Sequence, residues 1–90
     1  MTALTDEQLA RAFADENRYR LSWLPIPNRP GHPHCWHWRE GAMISAVHDE
    51  SGAIARRIAG NFLWTTGEKI TTERIDRILE LAKKHMHELL

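Results

Sequence analysis

The same helix-start signature occurs twice in the chain, once near each end. In "LTDEQL", Thr5 is followed three residues later by Gln8, and this spacing is a capping box that begins a helix. In "ITTERI", Thr71 precedes a second segment of periodic apolar residues and takes the same capping position. Because both ends of the chain are committed to helices, a sheet has to be built from the residues between them.

Apolar residues at helical spacing follow both signatures. Leu9, Ala10 and Phe13 share one face of the first helix. We expect this helix to end near Asn17. The second helix is predicted to run to the C-terminus along one apolar stripe, which consists of Ile75, Ile78, Leu79, Ala82, Met86 and Leu89. Leu81 lies off this stripe, and we expect it to be exposed.

Alternating apolar and polar residues in the middle of the chain predict antiparallel strands. The alternation occurs over residues 19–24, 34–39 and 42–48, and all four prolines lie in the loop 25–33. Residues 53–60 fit either a fourth strand or a short helix. The predicted fold class is α+β, with an N-terminal helix, an antiparallel sheet of three or four strands and a long C-terminal helix. Both helices are expected to pack on one face of the sheet.

Size, charge and cysteine content limit the classes of function. Ninety residues correspond to a single domain, 1–90. The 12 basic residues balance the 12 acidic ones, which argues against a strongly basic nucleic-acid binder and favours self-association, above all as a homodimer. The single cysteine forms no internal disulfide, and neither a signal peptide nor a long apolar segment is visible. We therefore expect a cytoplasmic protein that makes no membrane contact.

Four tryptophans in 90 residues supply large apolar surfaces for a core. Two of them lie in "GHPHCWHWRE", together with three histidines and the cysteine. A two-residue turn at 40–41 would pair Trp38 with Met43. This register places Trp36 and Trp38 on the core face of the sheet, since side chains alternate along a strand. Trp64 is expected to pack against the last helix.

The opposite face of the sheet is expected to be half-exposed, and it carries Cys35, His37 and Arg39. Cys35, His37 and His48 are weak candidates for metal ligands, because no spacing such as C-x-x-C supports a zinc site. Cys35 and His37 also lack an orienting third group for nucleophilic catalysis, and the chain has no Gly-rich phosphate loop. We therefore predict a protein that is not an enzyme and uses no cofactor.

Arginine and apolar residues on a sheet face, beside a proline-rich loop, favour a protein that binds another protein. The main hypothesis is an inhibitor or adaptor that occupies a partner surface, of the kind encoded by phages, mobile elements or bacterial accessory genes. The alternative is a nucleic-acid-binding module that uses the arginines of the sheet face and loop. The third hypothesis is a metal-binding protein. The predicted partner-binding residues are Arg20, Arg29, His32, His37, Arg39, Ile44, Arg57 and Leu81.

Overall fold

The computed structural model describes residues 4–25, 34–39 and 47–86 of the 90-residue chain. In these ranges the elements are α1 (Asp6–Glu16), β1 (Leu21–Leu24), β2 (Cys35–Trp38), β3 (Val47–Asp49), α2 (Ala53–Thr65) and α3 (Thr72–Ala82). The strands form one antiparallel sheet in the order β1-β2-β3, so the predicted α+β class is confirmed. No helix in the described ranges combines the length and the apolar character needed to cross a bilayer.

The helix-start signatures form the predicted caps. The Thr5 hydroxyl accepts a hydrogen bond from the Gln8 amide at 3.1 Å, and the Gln8 side chain accepts one from the Thr5 amide at 2.9 Å. The Thr71 hydroxyl accepts from the amide of Arg74 at 3.1 Å. Helix α1 ends at its C-cap Asn17, as predicted. Each cap satisfies backbone donors that have no partner within the first helical turn.

Residues 53–60, for which the sequence is compatible with either strand or helix, begin helix α2. Ile54 and Ile58 lie four residues apart, which places them on the same side of a helix. The first turn is capped from outside, because Asp49 Oδ2 accepts a hydrogen bond from the amide of Ala55 at 2.9 Å. The interpretation in which Ile54 continued the sheet is therefore wrong.

The helices pack on the sheet face that carries Leu21 and Trp36. Helix α1 lies against α3, and α2 lies against α3, β2 and β3. Phe13 of α1 and Phe62 of α2 meet edge to face, with ring centroids 5.5 Å apart. The core consists of Leu9, Ala10, Phe13, Ala14, Leu21, Trp36, Ala55, Ala59, Phe62, Leu63, Ile78, Leu79, Ala82 and Met86.

The pairing of β2 with β3 differs from the predicted register. Trp38 pairs with Val47 and not with Met43, a displacement of four residues along the third strand. An even displacement keeps every side chain on its predicted face. Trp36 is accordingly 5% exposed, and Trp38 packs half-buried against the core, so their assignment to the core face is confirmed. The turn predicted at 40–41 lies outside the described residues.

Helix α3 ends earlier than predicted. Its α-helical part stops at Ala82, and a short 3₁₀ helix (Lys83–His85) follows. The carbonyl of Met86 accepts a hydrogen bond from the amide of Trp23 at 2.6 Å, so the chain has left the helix to bond the edge of β1. The prediction of one continuous helix is therefore wrong over residues 83–86, and residues 87–90 lie outside the described part.

Two further side chains differ from the predictions. Leu81 is partly buried and packs against the core, so the prediction that it is exposed is wrong. Trp64 is 72% exposed, so it does not pack against α3 as predicted. The reason lies in the helical rotation of about 100° per residue: α2 turns Phe62 and Leu63 into the core, and the next residue then faces outward.

Candidate binding cleft

A cleft of about 590 Å³ lies between helix α2 and the sheet, beside the paired residues at the start of β1 and the end of β2. We call it the arginine cleft. Trp38 lies half-buried in it, and Arg20 and Arg57 are exposed. The described residues that line it are Arg20, Trp38, Ile54, Arg57, Ile58 and Asn61.

The α2 side of the arginine cleft follows from helical spacing. Ile54, Arg57, Ile58 and Asn61 follow the i, i+3, i+4, i+7 spacing of one helical face, so they form one stripe along α2. Trp64 lies three residues beyond Asn61 and seven beyond Arg57, which places it on the same stripe. Its exposed indole is not part of the cleft lining and lies beyond it, toward the C-terminal end of the helix.

Within the described part of the chain, the two arginines of this cleft lack acidic partners. No carboxylate of the described residues lies within ion-pairing distance of Arg20 or Arg57, and none of them lines the cleft. Arg74, in contrast, reaches Asp6 at 3.4 Å and Glu68 at 3.2 Å. The arginine cleft is therefore a cationic surface whose charge is not neutralised within the described structure.

A second cleft, of about 240 Å³, lies between the turn before α2, the sheet and helix α3. We call it the turn cleft. Its cations are satisfied within the cleft. Arg56 pairs with Asp76 at 2.9 Å, and the Lys83 ammonium pairs with Glu80 at 2.9 Å while lying 4.0 Å from the ring centre of Trp23. Ion pairing and cation–π contact thus use the charged side chains to join elements of the fold.

The structure brings together two of the predicted partner-binding residues, Arg20 and Arg57. The sequence places Arg57 among the arginines of the sheet face. In the structure it reaches the cleft from helix α2. Arg39 is half-buried, and its amide donates to the Arg20 carbonyl at 2.7 Å. Leu81 is partly buried and packs against the core, away from the described lining of this cleft. Three predicted contact residues lie outside the described part of the chain: Arg29, His32 and Ile44.

His37 does not lie on an open face, so the prediction of a half-exposed face at this position is wrong, while its contact with a partner stays a prediction. It is 2% exposed, and Ser22 and Cys35 on the same face are also buried. Burial, together with the neighbouring His48, lowers the pKa of His37, so its ring is neutral near pH 7. The Nδ1 atom lies 3.1 Å from the carbonyl oxygen of Cys35, and since that oxygen only accepts, Nδ1 carries the proton.

The three weak candidates for metal ligands are not arranged as a metal site in the described structure. The rings of His37 and His48 meet edge to face with centroids 4.6 Å apart, and the Cys35 thiol donates to the carbonyl of Trp36 at 3.3 Å. Over the described ranges, no group of three or more histidine, cysteine, aspartate or glutamate side chains is arranged to hold a metal ion.

Sequence reasoning missed five members of the candidate site: Trp38, Ile54, Ile58 and Asn61 in the lining of the cleft, and Trp64 beyond it. Trp38 was assigned to the core alone, yet its ring also lines the cleft. The signal for Trp64 was present in the sequence. Arg57, Asn61 and Trp64 have the spacing of one helical face, and a helix over 53–65 would have revealed it.

The chain was also compared with known proteins. A scan of protein-family models, a search of curated proteins and a search of solved structures found no significant match. The site has therefore to be interpreted from its own chemistry. The described site combines an apolar floor with two guanidinium groups that no described acid pairs, and an exposed indole lies beyond it on the same helix.

Proposed function

We propose that this chain is a small, non-enzymatic, cytoplasmic protein-binding module that acts as an inhibitor or adaptor by occupying a surface of a partner protein. The arginine cleft is the observation that carries the proposal. It combines Trp38 and two isoleucines with Arg20 and Arg57, and exposed Trp64 continues the surface. Tryptophan and arginine are the residue types that contribute most often to binding energy at protein interfaces.

Affinity capture from the native host, followed by mass spectrometry, tests this proposal. Tagged wild-type protein is compared with Arg57→Ala and Trp64→Ala, and Arg56→Ala serves as the matched control because Arg56 lies in the turn cleft. We expect a protein that is retained by the wild type and the control and lost from both cleft variants. An identical set of captured proteins for all four baits would contradict the proposed site.

Homodimerisation is the second part of the proposal. It is supported by the zero net charge and by exposed apolar side chains that do not line the arginine cleft, among them Tyr19, Val47 and Ile70. Sedimentation velocity over a range of micromolar concentrations should show a dimer. A monomer throughout that range would remove this part and leave the binding of a different protein untouched.

Nucleic-acid binding is the alternative, favoured by the combination of Arg57 with the exposed Trp64, since arginines bind phosphates and indoles stack on bases. The zero net charge opposes it, as do the ion pairs that engage Arg56, Arg74 and Arg77. Gel shifts between about 50 and 200 mM salt separate the two functions, because phosphate binding weakens steeply over this range. A salt-sensitive shift that is lost in Arg57→Ala would favour the alternative.

A further inference from the structure

We infer that the occupant of the arginine cleft is an acidic segment of a partner protein whose carboxylates are interspersed with apolar side chains. This inference rests on the proposed function and names the chemistry of the partner. Three features carry it: the apolar floor of the cleft, its two arginines that no described acid pairs, and the length of the stripe along helix α2.

The apolar floor of the cleft favours an occupant with apolar side chains. Trp38, Ile54 and Ile58 are each half-buried and pack against core residues or line the cleft, and they leave apolar surface facing its interior. A purely charged ligand would leave this surface in contact with water. A segment with leucine, isoleucine or aromatic side chains removes it from water, which is the main favourable contribution to protein association.

The positive charge of the two arginines favours an occupant with carboxylates. Arg20 and Arg57 approach the cleft from different elements, and no described acid compensates them. The planar guanidinium group matches a carboxylate through two parallel hydrogen bonds, which supplies geometric specificity as well as affinity. Arg56, one residue away, already makes its carboxylate contact with Asp76, so the contrast is a property of the cleft and not of arginine in general.

The length of the stripe on α2 favours a peptide segment over a small ligand. From Ile54 to Trp64 the stripe on α2 runs about 15 Å, the length of roughly ten helical residues or four to five extended ones. A small anion in the cleft would not reach Trp64. A nucleic-acid duplex of this length would present about nine phosphates, but the described lining of the cleft offers two cations, so most of those phosphates would find no partner there.

Peptide display tests the inference even while the partner is unidentified. A random library of peptides of about ten residues is selected on the immobilised full chain, and the enriched peptides are measured by fluorescence anisotropy. We expect peptides rich in aspartate or glutamate that also carry leucine, isoleucine or aromatic residues. Their affinity should fall roughly tenfold in Arg20→Ala and in Arg57→Ala, as for a lost charged hydrogen bond.

Controls separate the charge effect from damage to the fold. Arg57→Lys should retain part of the affinity, and Arg77→Ala, a change at an exposed arginine on α3, should retain all of it. Circular dichroism establishes that each variant is folded. Replacing the acids of an enriched peptide by their amides should weaken binding to the wild type and have no further effect on Arg20→Ala/Arg57→Ala.

The outcomes distinguish this inference from the proposed function. Enrichment of basic or uncharged peptides that bind the cleft would overturn the inference and leave the proposed function standing. If no peptide binds in a way that depends on Arg57 or Trp64, both fall. The inference is also overturned if a single-stranded oligonucleotide displaces the peptides at physiological salt, or if Arg57→Glu dissolves a dimer of this chain, which would make the occupant a second copy.

Discussion

Two clefts flank helix α2, and two consecutive residues of that helix enter them. Arg56 lines the turn cleft and Arg57 lines the arginine cleft, because one step along a helix rotates the side chain by about 100°. Arg56 has a carboxylate partner in its cleft at 2.9 Å, and its Nη1 atom also donates to the carbonyl of Ser51. Arg57 has no such partner among the described residues.

The difference shows that residue type alone does not mark a functional surface. Both clefts contain tryptophan and arginine side chains, and both would attract attention in a search for binding sites. In the turn cleft the charges are neutralised by neighbours, and buried Trp36 belongs to the core. In the arginine cleft no described acid pairs with Arg20 or Arg57, and Trp38, Ile54 and Ile58 are only half-buried. This difference in pairing is why we propose the arginine cleft, and not the turn cleft, as the binding site.

The largest expected effect is on the structural side, at Trp36. Trp36→Ala removes a core side chain that is 5% exposed and should lower the free energy of unfolding by about 3–5 kcal/mol. Urea denaturation measures this loss. Trp38→Ala, in the arginine cleft, should cost less because Trp38 is only half-buried. Equal losses for the two variants would mean that both clefts are equally structural, and the contrast between them would be lost.

A smaller loss of stability is expected at Asp49. This residue of β3 is hydrogen-bonded to α2, the helix whose residues line both clefts. Its carboxylate is buried and accepts a hydrogen bond from the amide of Ala55 at 2.9 Å. Asp49→Ala leaves that donor without a partner and should cost about 1–2 kcal/mol, as measured by thermal or urea unfolding. Asp49→Asn keeps an oxygen acceptor and should cost less. If the two variants were equally unstable, the cap would not be the reason for the loss.

The elements that depend on nearby residues were predictable from the sequence. Thr5, Gln8 and Thr71 form caps within one helical turn, so local spacing was sufficient to identify them. Helix α2 could not be distinguished from a strand because its cap, Asp49, stands outside the helix and its N-cap position is Gly52, which is in the left-handed region with φ of 77°. A cap that comes from a neighbouring strand has no simple spacing signal.

The candidate site was only partly predictable. Arg20 and Arg57 were identified as candidate binding residues from the sequence. They line one cleft only because α2 packs on the sheet, and this packing joins segments that are distant along the chain. The burial of His37 was missed for a related reason. Strand alternation assigns a side chain to a face correctly, but it does not state whether that face is covered.

The adjacent arginines give the third test, a double-mutant cycle on stability. Arg56 and Asp76 are both about half-exposed, so their coupling energy should be at most about 1 kcal/mol, and smaller at high salt. The same cycle between Arg57 and Asp76 should give no coupling, because they line different clefts. Coupling of similar size in both cycles would show that Arg57 is also compensated and would remove its role as an uncompensated charge.

The smallest effect on stability is expected at Trp64, and it provides the sharpest separation of stability from binding. Its side chain is 72% exposed, so Trp64→Ala should change the free energy of unfolding by less than about 0.5 kcal/mol. The same variant should lose the partner protein in affinity capture, since a large indole at the end of the α2 stripe would be buried there on binding. Trp36→Ala would also lose the partner protein, but there the loss would follow from unfolding.

If Trp64→Ala instead destabilises the fold by several kcal/mol, then Trp64 contributes to the packing of the free protein. Its exposure would then not mark a surface kept for a partner, and the stripe would end at Asn61.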